Sequence, residues 1–240
     1  MAPVLVQSKS GSSVGSTTTT ITLTSATTAG NCLVLVYGSN YGATGASITG
    51  ATLGGAADNW ANVGGAVNST QAVISMWGDQ SCAGGQTSVV VTLSVAPNAS
   101  AFWLMEWSGM VATGTTMLDK VKNGGTNGTS FASGTTLTTT QANEVWIGGV
   151  FCNDGGSGTP AITGPSSPWN NLAQVTPATG YSMMTSWQVV SATGTTSYSG
   201  TTSPAAINEA EVWTLKASNV IPVFVSASNR QQAVKTASIW

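Results

Sequence analysis

The chain of 240 residues contains no histidine, a single arginine (Arg230) and only 6% charged residues, against roughly 25% in an ordinary soluble domain. Without imidazole there is no ordinary general base near neutrality, no Ser-His-Asp or Cys-His arrangement and no histidine metal ligand. Six cationic residues against eight acidic ones, a net charge of -2, cannot neutralise a run of phosphates, which excludes nucleic acid as a partner. Helical periodicity is also missing, because Gly, Pro, Thr or Ser interrupts nearly every window long enough for three turns. No stretch reaches the length of a membrane span, and the start Met-Ala-Pro-Val-Leu-Val-Gln-Ser-Lys has neither the basic beginning nor the apolar core of a secretory signal. A soluble chain made in the cytosol, with no membrane partner, is expected. The three cysteines, Cys32, Cys82 and Cys152, lack zinc or redox spacing. Cys32, inside the run Cys32-Leu33-Val34-Leu35-Val36, reads as a small buried side chain, and a Cys82–Cys152 bridge is left open.

What is abundant is small and hydroxylated: 36 Thr and 30 Ser stand beside 29 Gly. Thr favours extended backbone while Gly and Ser favour turns, so many short strands with tight connections follow. Candidate strands are Val4 to Gln7, Thr18 to Thr24, Cys32 to Tyr37, Ala72 to Trp77, Ser88 to Leu93, Phe102 to Trp107, Val145 to Phe151, Met183 to Val190 and Glu211 to Lys216, with weaker ones near Leu137 and Tyr198. This pattern predicts an all-β fold, an antiparallel two-sheet β-sandwich of jelly-roll type over residues 1–216. Residues 1–14 are read as an N-terminal strand or arm. Cys32 to Val36 and Phe102 to Met105 are apolar at every position, so both of their faces are covered, whereas Thr20-Ile21-Thr22-Leu23-Thr24 alternates and has one wet face. Two layers with something lying over one outer face are therefore expected. The glycine-rich segment 78–87 reads as the turn of a hairpin leading into Ser88 to Leu93, and 153–171 as a protruding loop.

Chemistry is sparse. Glu106 shares a face with Phe102 and Leu104 and is expected to lie at the strand end or to pair with a hydroxyl, a lysine or a backbone amide. Glu209 and Glu211, at i,i+2, are the one close carboxylate pair of the kind a glycosidase needs, and a wet strand edge explains them. Asp58 and Asp154 sit in turns without the repeated acidic spacing of a calcium loop. The glycine clusters lack the lysine of a phosphate loop. No catalytic, cofactor-binding or metal-binding residue is assigned, and the chain is read as a non-enzyme.

Tryptophan is the strongest positive signal. Trp77, Trp103, Trp107, Trp146, Trp187 and Trp213 lie on predicted strands and read as packing. Trp60, in Asp58-Asn59-Trp60, and Trp169, in Pro168-Trp169-Asn170-Asn171, lie in loops beside amides. With Tyr41 they are the candidates for contact with a sugar ring; the competing reading is a loop pinned to the sandwich by its tryptophan. After Lys216 the pattern changes to two apolar patches, around Val220–Val225 and Ala233–Trp240, separated by a polar link. Residues 217–240 thus read as an extended arm. Ile221, Val223, Phe224, Val225, Ile239 and Trp240 would dock against a sheet edge or groove, each large side chain contributing about 1.5–3 kcal/mol of burial before ordering costs.

The strings Ala29-Gly-Asn-Cys-Leu-Val-Leu-Val36, Asp58-Asn-Trp60, Ala72-Val-Ile-Ser-Met-Trp77, Phe102-Trp-Leu-Met-Glu-Trp-Ser-Gly109 with Leu118-Asp119, Ala142-Asn-Glu-Val-Trp-Ile-Gly-Gly149 and Glu211-Val-Trp-Thr-Leu-Lys216 resemble a jelly-roll-like β-sandwich module found in phage virion proteins and in bacterial surface or secreted proteins. The likeness covers roughly residues 15 to 216 and carries no catalytic signature. Taken with the absent export signal, the hydroxyl-rich uncharged composition and the apolar tail, it leads to the expectation of a virion structural subunit, of capsid decoration, cement or fibre type, with other virion subunits or copies of itself as partners and the virion as its location. The alternative is an extracellular carbohydrate-binding or adhesive module that contacts polysaccharide.

Overall fold

The computed structural model describes residues 2–40, 46–68, 71–111 and 116–218. Among the described residues sixteen strands follow one another: β1 (Val4–Ser13), β2 (Thr18–Thr22), β3 (Cys32–Asn40), β4 (Ile48–Leu53), β5 (Ala56–Ala57), β6 (Ala61–Asn68), β7 (Val73–Asp79), β8 (Ser88–Leu93), β9 (Ala99–Ser108), β10 (Leu118–Ala132), β11 (Glu144–Asn153), β12 (Ala161–Thr163), β13 (Asn170–Asn171), β14 (Val175–Ala178), β15 (Tyr181–Val190) and β16 (Ser199–Lys216). Among the described residues there is no helix, and none therefore long and apolar enough to cross a membrane.

The strands form three antiparallel sheets. One has the order β1-β9-β3-β7-β6, a second β10-β16-β11-β15-β13 with β12 and β14 attached to β16 and β15, and a third β2-β8-β4-β5. The first sheet is the middle layer. Alternate residues of β3 and β9 face opposite ways. Cys32, Val34, Val36, Trp103, Met105 and Trp107 meet Val145, Ile147, Phe151, Trp213 and Leu215 of the second sheet. Leu33, Leu35, Tyr37, Phe102 and Leu104 meet Ile21, Ile48, Leu53, Val89 and Val91 of the third. The fully apolar runs are thus explained, because β3 and β9 are covered on both sides. The fold is the expected antiparallel sandwich, and the cover over one outer face is itself a sheet.

A third cluster seals the far face of the second sheet, where Phe131, Ile162 and Tyr198 lie over Val150, Cys152 and Val212. Gly148 makes room for this lid: a Cβ there would fall 2.2 Å from the Tyr198 ring.

Two expectations are corrected. Segment 78–87 is not a hairpin turn, because β7 belongs to the middle sheet and β8 to the third, so this segment crosses between layers. Residues 153–171 do not protrude as a featureless loop. β12 pairs with Ser203–Thr201 of β16, β13 pairs with β15, and Ile162 is buried. The nine main predicted strands are all present. Near the two weaker signals, Leu137 lies outside any strand and is 77% exposed, while Tyr198 is a buried residue preceding β16. Residues 1–14 supply β1, an edge strand.

Candidate functional site

The acidic residues are distributed through the layers rather than gathered at a mouth. Glu209 and Glu211 do share a face, but β16 runs between β10 and β11 and the two side chains are 3% and 0% exposed. The wet-edge reading of this pair is therefore wrong: the strand's partners on both sides and the apposed middle sheet remove water from it. Both Glu211 oxygens lack a hydrogen-bond partner, and burial pushes its carboxyl up to about 9. A carboxyl sealed in this way is neutral at pH 7 and out of reach of a substrate.

Glu106, also fully buried, is the opposite case. Its carboxylate accepts from Gln7 Nε2 at 2.7 Å, the Thr28 backbone N–H at 2.9 Å and Asn31 Nδ2 at 2.6 Å. It ties β1 and the loop before β3 to β9, and pairs with amides, one of them from the backbone. Asp79 accepts from the Ser81 N–H at 3.1 Å, while burial, and next the Asp58 carboxylate, push it up to about 6. Asp58 accepts from the Asn59 and Ala83 N–H groups, and Asp154 from the Gly156 N–H, so both serve as turn formers. Among the described residues no group of three or more metal-ligating side chains converges.

At the foot of the sandwich, Glu144 and Asp119 form a network that sequence reasoning missed. Glu144 Oε2 accepts from Trp146 Nε1 at 2.8 Å. Burial first, and then the neighbouring Asp119, push Glu144 up to about 7. Burial also disfavours charge on Asp119, but hydrogen bonds from the Thr140 hydroxyl and N–H and from Lys120 outweigh it and hold that carboxyl below the usual range. Nζ of Lys216, the last residue of β16, lies 3.8 Å from Asp119 Oδ1, the oxygen that Lys120 also contacts. The signal available in the sequence was the Leu118-Asp119 dipeptide, whose partners are far along the chain.

The three aromatic candidates are not brought together. Trp60 is half-buried against the cluster between the middle and third sheets. Trp169 is half-buried on the far face of the second sheet, edge-on to Tyr198 with centroids 5.5 Å apart. Tyr41 lies outside the described residues. The strand tryptophans Trp103, Trp107, Trp146 and Trp213 are buried, and Trp77 and Trp187 partly so. Cys32, Cys82 and Cys152 are free and buried in three different clusters, so no Cys82–Cys152 bridge forms.

Two shallow hollows have polar walls. One of about 250 Å³ is lined by Gln71, Asn127, Asn153, Asp154 and Ile207. Part of its hydrogen-bonding capacity is used internally: Asn153 Nδ2 donates to the Gln71 carbonyl, and Asn153 Oδ1 accepts from the Gly155 N–H. The other, about 160 Å³, lies between β6, β7 and the start of β10, beside Asn59, Asn62, Gln80 and Met117. Neither presents a cation or a pair of facing carboxylates.

The remaining feature is the point where the chain leaves the body. Ala217 bridges to Met110, and the Ser218 N–H donates to the Gly109 carbonyl at 2.7 Å. The Ala217 N–H donates to the Asn143 carbonyl, and Gln141 Nε2 donates to the Ala217 carbonyl at 3.0 Å. Gly109 packs on Ala2 and Pro3, so the exit stands beside the start of β1. The arm residues Ile221, Val223, Phe224, Val225, Ile239 and Trp240 lie outside the described residues.

Comparisons with protein-family models, with curated proteins and with solved structures find no significant match to this chain.

Proposed function

We propose that this protein is a non-enzymatic structural subunit of a phage virion, of capsid decoration, cement or fibre type, that assembles through its apolar C-terminal arm. The observation that carries this reading is the chain exit. The middle sheet is covered on both faces by residues up to Leu215, the backbone is then fastened at Ala217 and Ser218, and the apolar run Val220-Ile-Pro-Val-Phe-Val225 is still to come. A segment of that composition gains by leaving water against another surface. The sealing of Glu106, Glu209 and Glu211 inside the layers supports a scaffold rather than a catalyst. Ending the chain at Ser218 is expected to leave the body folded by circular dichroism while abolishing self-association or incorporation into particles. Normal assembly of the shortened chain would remove the proposal.

A second reading, a carbohydrate-binding or adhesive module, is favoured by the amide-lined hollow at Gln71, Asn127 and Asn153. Binding on a glycan array that Asn127→Ala or Trp169→Ala weakens would support it; an array without any binder would dismiss it.

A further inference from the structure

We infer that the open edge of β1 is the acceptor for the arm, and that its occupant is Val220–Val225 of a second copy of this chain, added as an antiparallel strand. The inference rests on the assembly reading above and names its partner surface. β1 is the terminal strand of the middle sheet and pairs only with β9. Among the described residues no loop or turn backbone hydrogen bond involves Val4–Ser13, which leaves the outer row of N–H and C=O groups available to a further strand. Val4 and Val6, at 54% and 46% exposure, are two of the few large apolar side chains left in water. They sit at the β1 end next to the chain exit, Val6 being the extra residue of the bulge between Leu5 and Gln7. β10, the edge of the second sheet, carries Lys120 and Lys122 close to its first residue, whereas the single lysine of β1, Lys9, lies beyond the Val4–Val6 end, and charge of this kind keeps an edge unpaired.

Geometry favours a second copy over the chain's own arm. Ser218 is bonded to Gly109, immediately past the end of β9, so β1 stands between the exit and the open edge. With strands about 4.8 Å apart, the backbone must cross roughly 10 Å, or about three extended residues, before it can pair outside β1. That consumes the chain to Ile221 and shortens its own pairing segment to Pro222–Val225, whereas a neighbour's arm can offer all of Val220–Val225, with the Pro222 nitrogen turned away from the ladder. The chain's own arm would also run parallel to β1, since it starts at the N-terminal end of that strand, whereas a neighbour's arm can enter antiparallel, the slightly more stable pairing.

The test uses the full-length chain and reads its mass in solution across a range of concentrations. Association is expected in the parent. Val4→Lys/Val6→Lys should raise the dissociation constant at least about tenfold, because two charges then face a dry strand pairing, with the melting temperature unchanged. Val223→Lys/Val225→Lys, which leaves the body untouched, should do the same, and Thr129→Lys on the exposed part of β10 should have no effect. If the arm variant and the chain ending at Ser218 lose association while the Val4/Val6 variant keeps it, the β1 assignment is wrong and the assembly reading survives. A full-length chain that stays monomeric throughout overturns both.

Discussion

Glu211→Gln is the substitution whose effect follows most directly from the structure. The carboxyl is 0% exposed, has no hydrogen-bond partner on either oxygen, and titrates at about 9 rather than at the ordinary 4.5. The folded protein therefore keeps a proton that the unfolded chain loses above about pH 4.5. The stability linked to this group is complete below that value and is lost as pH rises towards 9, at a slope approaching about 1.4 kcal/mol per pH unit. Asp79 and Glu144, raised to about 6 and about 7, act mainly below pH 7, and the three cysteine thiols, ordinarily at 9.0, act from about pH 8 upwards. The window from pH 7 to 8 therefore isolates Glu211, over which the parent should lose about 1.3 kcal/mol. The amide variant keeps the shape and takes up no proton, so it should be more stable at pH 7 by about 3 kcal/mol, with no slope in that window. Urea unfolding at pH 5, 7, 7.5 and 8 measures both quantities. Parallel pH profiles for parent and variant would refute the reasoning, since they would mean that Glu211 is solvated or paired.

Other substitutions probe the packing. Glu106→Leu leaves Gln7 Nε2, Asn31 Nδ2 and the Thr28 N–H without their acceptor, and should cost about 3 kcal/mol or more in urea unfolding. Gly148→Ala forces the Tyr198 ring to move; a loss of about 1–3 kcal/mol and an altered near-ultraviolet dichroism are expected, and an unchanged spectrum would contradict this packing. The three buried thiols, with burial pushing Cys82 up to about 12 and the other two higher still, should resist a thiol reagent at pH 8 until urea is added. Rapid labelling of the native protein would show that at least one is accessible.

Much of the body was legible because strand burial writes itself into local pattern. Cys32 to Val36 and Phe102 to Met105 announced two covered faces, and Thr20 to Thr24 announced one. β10 escaped notice because an edge strand with mostly wet residues, Asn123-Gly-Gly-Thr-Asn-Gly128 among them, needs no apolar alternation. The segment before β8 was misread for a different reason: glycine reports that a chain turns, not which layer it turns into. Of the candidate site, the apolar arm was visible as a change of composition at Lys216. Its proposed acceptor was not, since the exposure of Val4 and Val6 depends on which strand ends the middle sheet.

Composition and alternation alone determined that this chain builds strands, encloses apolar faces on both sides of its central elements and does without imidazole chemistry, because these properties belong to single residues and their nearest neighbours. Only the tertiary structure decided that Glu106 is fully satisfied and Glu211 wholly orphaned, that Trp60 and Trp169 belong to different layers, and that the chain leaves the sandwich beside an open edge. Hydrogen bonding, burial and strand order are set by pairings between distant segments, such as β9 with β1 and β16 with β11, and sequence spacing carries no record of them.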